Sequence, residues 1–437
     1  MIVAPVTERG EGNQGPLFPS GQILPFVLVT GLFFLWGIPN NLNDVLIRQF
    51  MKSFAITRFQ AGLVQSAFYM GYFLLAMPAA FFMKRYSYKA GFITGLLLFG
   101  LGDFLFYPAA MAGSYAFFLL ALFVIASGLA FLETASNPFI AQFGDPSGSE
   151  RRLIFSQAFN PLGSIVGVLI GTFFIFSGVE LSPAQAMHLK ETGQYALYTR
   201  HETLRVIRPY LGLGIAALTW AVFIVFTRFP NLTSSNEEHE SHGSFRALLS
   251  RRHFVFAVLT QFLYVGGQVG TWSYFIQYVQ DYTHQPERIA GYFLTGTLAA
   301  FGLGRFVSAW ILRFVAPGRL MGICSITNIV LVGIGILHPG WIGLWSIFLT
   351  SFFMSVMFPT IFALGLKDLG PDTKIGGSLL VMSIVGGAVL TPIMGLISEK
   401  TGSIASAYTV PLLAYIAVTF YGFIGSKRRA LAPLHAD

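Results

Sequence analysis

Long apolar stretches separated by short polar intervals make up the chain after residue 21. Each runs for about twenty residues or more, the length an α-helix needs to cross a hydrocarbon core. They fall near 22–47, 59–83, 90–111, 115–142, 153–178, 206–227, 253–280, 289–315, 319–337, 341–366, 375–398 and 404–425. The first, fourth, seventh and tenth are interrupted by Pro, Gly or Asn. Such breaks require neighbours or a wet cavity to satisfy the freed backbone groups. The pattern predicts an all-α polytopic membrane protein with twelve transmembrane helices.

The polar intervals set the domain plan. Residues 1–21 carry Glu8, Glu11, Pro5 and Pro16 but no basic stretch leading into an apolar core, so they read as a polar tail and not a cleavable signal. The longest internal polar interval, Arg228–Arg252, contains Ser234, Ser235, Glu237, Glu238 and Glu240 and divides six spans from six. The expected units are a bundle over 22–228, a linker over 229–252, a second bundle over 253–425 and a tail over 426–437. An even number of spans puts both termini on one side. With the termini inside, most of the 27 lysines and arginines fall in cytoplasmic segments, including Lys84, Arg85 and Lys89 between the second and third spans. That bias favours cytoplasmic termini. The halves also echo one another. Ala61-Gly62 precedes Lys84 by the same interval at which Ala290-Gly291 precedes Arg313, and Asn137-Pro138 leads to Gly144-Asp145-Pro146-Ser147 as Phe358-Pro359 leads to Gly370-Pro371-Asp372-Thr373. Echoes at matching places in a six-plus-six layout suggest a duplicated transporter fold with its site between the halves.

Composition narrows the classes. Hydrophobic residues make up 54% of the 437 and charged residues 11%, too few charges to clothe a soluble body of this size. The mean hydropathy of +0.66 agrees with that. The net charge of +8 is scattered between apolar runs, which fits membrane loops and gives no nucleic-acid surface. The single Cys324 allows neither an internal disulfide nor a thiolate metal site. There is no metal-ligand cluster, phosphate-binding loop or nucleophile elbow in a plausible context, so an enzyme ranks far behind a carrier and no cofactor or metal is expected.

An ionisable group inside a span costs a few kcal/mol and should face a cavity or a partner (about 2.5–3.5 kcal/mol on insertion scales). Four stand clearly inside: Asp44, Asp103, Glu133 and Arg305. Asp44 closes the run Trp36-Gly37-Ile38-Pro39-Asn40-Asn41-Leu42-Asn43-Asp44. Trp36, Asn40 and Asp44 recur every four residues with Asn43 alongside, an aromatic plate beside amides and a carboxyl that suits a sugar. The alternative is that Asp44 merely ends the span near the interface. Glu133 and Asn137 lie one turn apart just before Pro138, so Glu133 is a candidate proton or substrate group, or else a structural hydrogen bond between helices. Asp103 has Tyr107 one turn on as a partner and is as readily scaffold as function. Arg305, in Gly304-Arg305-Phe306, either pairs with a carboxyl as a gate or a brace, or binds substrate oxygens. Two neutral sets complete the inventory. Gln157 and Asn160 precede Pro161, and Gln261, Tyr264, Gln268 and Trp272 form a polar-aromatic stripe at helical spacing on the seventh span. Each reads as cavity lining or as packing between helices.

These residues resemble a known family. Phe34-Leu35-Trp36 with Asn40-Asn41-Leu42-Asn43-Asp44, Phe59-Gln60-Ala61-Gly62-Leu63 with Gln65-Ser66-Ala67-Phe68-Tyr69, Ser87-Tyr88-Lys89-Ala90-Gly91 and Leu132-Glu133-Thr134-Ala135 with Asn137-Pro138-Phe139 are similar to the fucose permease family of the major facilitator superfamily. So are Trp272-Ser273-Tyr274, Tyr292-Phe293-Leu294-Thr295-Gly296-Thr297, Gly304-Arg305-Phe306 and Pro359-Thr360-Ile361-Phe362 in the second half. The resemblance covers roughly 24–425. It implies two pseudo-symmetric six-helix halves, alternating access, and entry of a monosaccharide with a proton through a carrier that works as a monomer in the plasma membrane, in bacteria the inner membrane. It implies that Asp44 takes and releases the proton and that Glu133 couples it to substrate. It sets Trp36, Asn41, Gln157, Asn160 and Trp272 along the central cavity; the residue pattern itself adds Asn40, Asn43, Asn137 and Gln268 as candidate sugar contacts. Glu133-Thr134-Ala135 resembles the fucose branch, whereas glucose/galactose and N-acetylglucosamine relatives tend to carry Gln at that position. Two positions depart from the family: Asp103, where a small or apolar residue is expected, and Phe358, where fucose permeases often have Tyr. Proton- or sodium-coupled uptake of another sugar, and proton-driven export on the same fold, remain the alternatives.

Overall fold

Residues 23–144, 149–230, 245–312, 314–367, 369 and 372–426 are described by a computed structural model of the chain. The expected N-terminal tail, most of the linker, nearly all of the C-terminal tail, and Asp145-Pro146-Ser147, Arg313 and Gly370-Pro371 lie outside the described residues. Among the described residues, twelve helices are long and apolar enough to span a membrane. They are α1 (Ile23–Phe54), α2 (Arg58–Met83), α3 (Tyr88–Ala112), α4 (Tyr115–Gln142), α5 (Phe155–Ile175), α6 (Tyr195–Phe226), α7 (Arg252–Ser273), α8 (Glu287–Ile311), α9 (Pro317–Leu337), α10 (Trp341–Leu366), α11 (Gly376–Thr401) and α12 (Ile404–Gly425). Polar caps begin several of them: the hydroxyls of Thr57, Ser87 and Ser114 each accept a hydrogen bond from the first turn of α2, α3 and α4.

Three boundaries differ from the hydropathy pattern. Helix α1 continues to Phe54, a full two turns past the expected end. Its last turns are polar, but Gln49 and Lys52 are taken up by Glu202 and Glu287, so the helix ends inside protein contacts. The stretch expected as an outer loop before the sixth span holds the helices Pro183–Glu191 and Tyr195–Leu204, the second leading directly into the rest of α6. The seventh span breaks at Tyr274 and resumes as the short helix Phe275–Thr283. The Tyr274 hydroxyl donates to the Arg58 carbonyl of α2 at 2.8 Å, which ties the break to the other half.

Close helix crossings use missing side chains. A Cβ placed on Gly163 of α5 would lie 2.1 Å from the Phe34 carbonyl oxygen of α1, so only glycine permits this approach. The echoed glycines have equivalent places. Gly62 on α2 crosses α11 at Pro392, and Gly291 on α8 crosses α5 at Thr172. Each helix pair joins one half to the other, which gives the repeated Ala-Gly a shared purpose.

Polar contacts between the halves gather at the end where α1 finishes and α2 begins. Lys52 Nζ sits 2.9 Å from Glu202 in its own half and 2.9 Å from Glu287 in the other, with all three side chains under a tenth exposed. Gly178 N–H donates to Glu287 at 3.1 Å. Arg58 pairs with Asp281 and donates to Ser398 at 2.7 Å. Arg288 donates to the Phe176 carbonyl at 3.1 Å. This end of the bundle is closed.

Candidate functional site

Between the halves lies a cavity of about 200 Å³. Its walls come from α1 (Asn40, Asn41, Asp44), α2 (Gln65, Tyr69, Tyr72), α4 (Glu133) and α5 (Asn160, Ser164) on one side. Gln268 and Trp272 of α7, Phe301 and Arg305 of α8, and Phe358 of α10 face them. Amides, acids and aromatic faces therefore converge from both halves on one small space.

Asp44 is 2% exposed and lies well inside α1, so it does not end the span. Asn41 Nδ2 donates to its Oδ2 at 3.0 Å. Gln65 Nε2 and Ser273 Oγ each donate to its Oδ1 at 2.9 Å. The carboxyl thus receives donors from α1, α2 and, across the interface, the last residue of α7. Glu133 lines the cavity from α4, while Asn137 folds back on its own helix and donates to the Glu133 carbonyl at 3.1 Å. Asn160 Nδ2 reaches the Phe33 carbonyl at 3.4 Å, a contact that the Gly163 crossing makes possible. Trp272 is held from two directions: its indole N–H donates to Ser351 Oγ at 3.1 Å, and Phe301 meets it edge-on at 5.1 Å between centroids.

The structure places Asp44, Glu133, Asn40, Asn41, Asn160, Gln268, Trp272 and Arg305 around this one cavity. It sets the other expected residues elsewhere. Trp36 is 3% exposed and packs on Phe33 with ring centroids 4.4 Å apart. Residues eight apart on an α-helix are offset by about 80° around its axis, which turns Trp36 off the face of Asp44. Asn43, one residue before Asp44 and so about 100° away, is fully buried behind the wall with its amide unpartnered. Gln157 donates to Asn137 at 3.1 Å, and this pair stands outside the cavity lining. In the α7 stripe, Gln261 is buried inside the second half and Tyr264 donates to the Met354 carbonyl at 2.7 Å, leaving only Gln268 and Trp272 at the cavity.

Neither Arg305 nor Asp103 forms an ion pair among the described residues. Among the described residues no carboxylate pairs with Arg305, whose guanidinium lies 4.9 Å from the Phe301 ring centre at the cavity wall. Such a placement is a cation over an aromatic face. Asp103 is fully buried beside Gly214 of α6, with both carboxyl oxygens unpartnered, whereas Tyr107 is half exposed and turned away. The cavity residues not singled out as candidates in the sequence include Gln65, Tyr69 and Tyr72 on α2, Ser164 on α5 and Phe301 on α8. The first three recur at helical spacing within an apolar span, and that polar stripe was the available signal.

The Major Facilitator Superfamily model matches residues 26–374. The chain is 43% identical over 410 residues to the L-fucose-proton symporter of Escherichia coli K12, covering 93% of this chain and 94% of that protein. It is 33% identical over 405 residues to the glucose/galactose transporter of Brucella abortus, covering 91% of this chain and 93% of that one. A crystal structure of a Major Facilitator Superfamily transporter in the outward conformation superposes with a TM-score of 0.69 at 42% identity, over 93% of this chain and 99% of the other. Twelve helices in two halves, a cavity between them, and this likeness along nearly the whole length agree: the chain is an integral membrane protein that belongs to the Major Facilitator Superfamily, within the fucose permease family.

Proposed function

We propose that the protein is a proton-coupled symporter that carries L-fucose or a closely related monosaccharide across a bacterial inner membrane by alternating access, acting as a monomer with both termini cytoplasmic. The observation that carries this reading is the Asp44 carboxyl, buried at a small cavity of amides and aromatic faces and contacted from both halves. Sugar hydroxyls both donate and accept, and so do the amides of Asn40, Asn41, Asn160 and Gln268. The faces of Trp272 and Phe358 offer apolar surface to the ring. Trp36 and Asn43 are buried off the cavity, and Asn137 and Gln157 form a hydrogen-bonded pair outside its lining. A carboxylate is costly to occlude, so protonating Asp44 and Glu133 lowers the cost of closing the cavity around sugar. The closed end would then be the outer one, and proton and sugar leave on the cytoplasmic side. A lining that mixes amides and carboxyls with aromatic faces suits a sugar better than a wholly apolar solute.

The test is uptake of labelled sugar into proteoliposomes under an imposed proton gradient. Asp44→Asn should lose accumulation by roughly tenfold or more, the scale of a lost charged group at its site, while exchanging sugar in counterflow. Full gradient-driven accumulation by that variant would remove Asp44 from the coupling role. A competition panel of L-fucose, D-galactose, D-glucose, D-arabinose and N-acetylglucosamine ranks the substrates, and replacing sodium separates the two ions. Phe358 supports a second reading, uptake of glucose or galactose, because it leaves the wall without the hydroxyl that the fucose branch often carries.

A further inference from the structure

Ser273 occupies a place that the transport reading does not yet use. It is the last residue of α7, set there by the break at Tyr274, and it is fully buried. Its hydroxyl crosses the interface to Asp44 Oδ1 at 2.9 Å and accepts from Gln65 Nε2 at 2.9 Å. The same Gln65 nitrogen donates to Asp44 Oδ1. The hydrogens close as a set. Gln65 has two N–H bonds, one directed at the carboxylate and one at Ser273. Ser273, already accepting from Gln65, has its single O–H left for Asp44. Asn41 covers the other carboxylate oxygen. With the Ser273 hydroxyl turned as a donor, a proton on Oδ1 would face the donors of Gln65 and Ser273 and one on Oδ2 would face Asn41, so protonation requires that the hydroxyl turn away or a donor leave. Donors converging on a carboxylate favour its charged form.

Asn41 and Gln65 travel with Asp44 in the first half, whereas Ser273 belongs to the second. Ser273 and Tyr274 both contact the first half here, so parting the halves at this end would withdraw the Ser273 hydroxyl. We propose that Ser273 is a positioning residue that holds Asp44 as the bare carboxylate only while this end is closed, and so tells the proton site which side is open. The proposal rests on Asp44 being the coupling carboxyl. Proton release then belongs to the form closed at the Lys52 end, and uptake to the form in which Ser273 has moved away. Glu133 on α4, Tyr69 and Tyr72 on α2 and Arg305 on α8 are the other titratable groups around the cavity, and they stay unchanged in the test.

Full-length protein in proteoliposomes separates the outcomes. Ser273→Ala should lower gradient-driven sugar accumulation roughly tenfold, the scale of one hydrogen bond to a charged group, with counterflow exchange kept within about twofold. Ser273→Thr, which keeps the hydroxyl, should restore accumulation. Ser273→Cys, similar in shape but a weak donor, should behave like the alanine variant and serves if alanine fails to fold. Undiminished accumulation by the alanine or cysteine variant overturns the proposal, as does equal loss of counterflow and accumulation that threonine does not rescue. Failure of the underlying reading looks different: Asp44→Asn would itself accumulate sugar normally. In an Asp44→Asn background, adding Ser273→Ala should change nothing further, and an additional loss there also counts against the proposal.

Discussion

Asp44 and Asp103 are two buried carboxyls in the same half with opposite surroundings. Asp44 receives three donors, while both oxygens of Asp103 are left without a partner. A buried polar group without a hydrogen bond costs about 1–3 kcal/mol. Leucine has the branching of aspartate without its polarity, so Asp103→Leu should stabilise the detergent-solubilised protein by roughly that amount. Thermal unfolding would show a rise in midpoint, with transport and its proton dependence unchanged. A loss of gradient-driven accumulation would instead make Asp103 a second proton site. The sequence flags both acids by the same observation, an ionisable group inside a span, where a charge is costly. What separates them is where their partners come from. Gln65 and Ser273 are neutral, carry no such cost, and lie on helices remote in sequence from Asp44. Arg305 tells the same story in reverse: its depth was legible, and its lack of a carboxylate beside the Phe301 ring was not.

Helix identity was more legible than helix ends. Twelve apolar runs match twelve helices because a bilayer demands the same length of each. The end of α1 was hidden because hydropathy treats Arg48, Gln49 and Lys52 as leaving the membrane, while the fold absorbs Gln49 and Lys52 into contacts with Glu202 and Glu287. The packing of α1 on α5 depends on Gly37 and Gly163, which face one another across the crossing. Gly163→Val should push the helices apart at Phe34 and displace Asn160 and Asn41 from the cavity wall. Overpacking of this kind typically costs about 1–3 kcal/mol. Sugar binding should weaken at least as much as stability does, measured by titration calorimetry beside thermal unfolding. Gly212 is the control: a Cβ there meets nothing within 4 Å, so Gly212→Ala should bind as the parent does.

At the scale of the whole molecule the polar contacts between halves read as a latch. Lys52 is held by Glu202 within its own half and by Glu287 from the other, and Arg58 pairs with Asp281 across the same end. Glu287→Gln is the sharp substitution. It removes the charge that crosses the interface, keeps an acceptor for the Gly178 N–H, and leaves Lys52 paired with Glu202, so each half stays intact. Because Lys52 keeps Glu202, the loss is that of one charged hydrogen-bond contact, about 1.5–3 kcal/mol, here charged only to the form closed at this end. A shift of that size moves a two-state population by roughly tenfold to a hundredfold. Spin labels at Ala112→Cys on α3 and Leu337→Cys on α9, with Cys324→Ser to remove the native thiol, would sit at this end on opposite halves. Their separation should lengthen in Glu287→Gln without added sugar. Transport under a gradient should slow because the closed form is harder to reach, while sugar binding from the newly opened side persists. An unchanged label distance would mean that the closed end is held by the apolar α2–α11 and α5–α8 crossings, with the ion pairs contributing little.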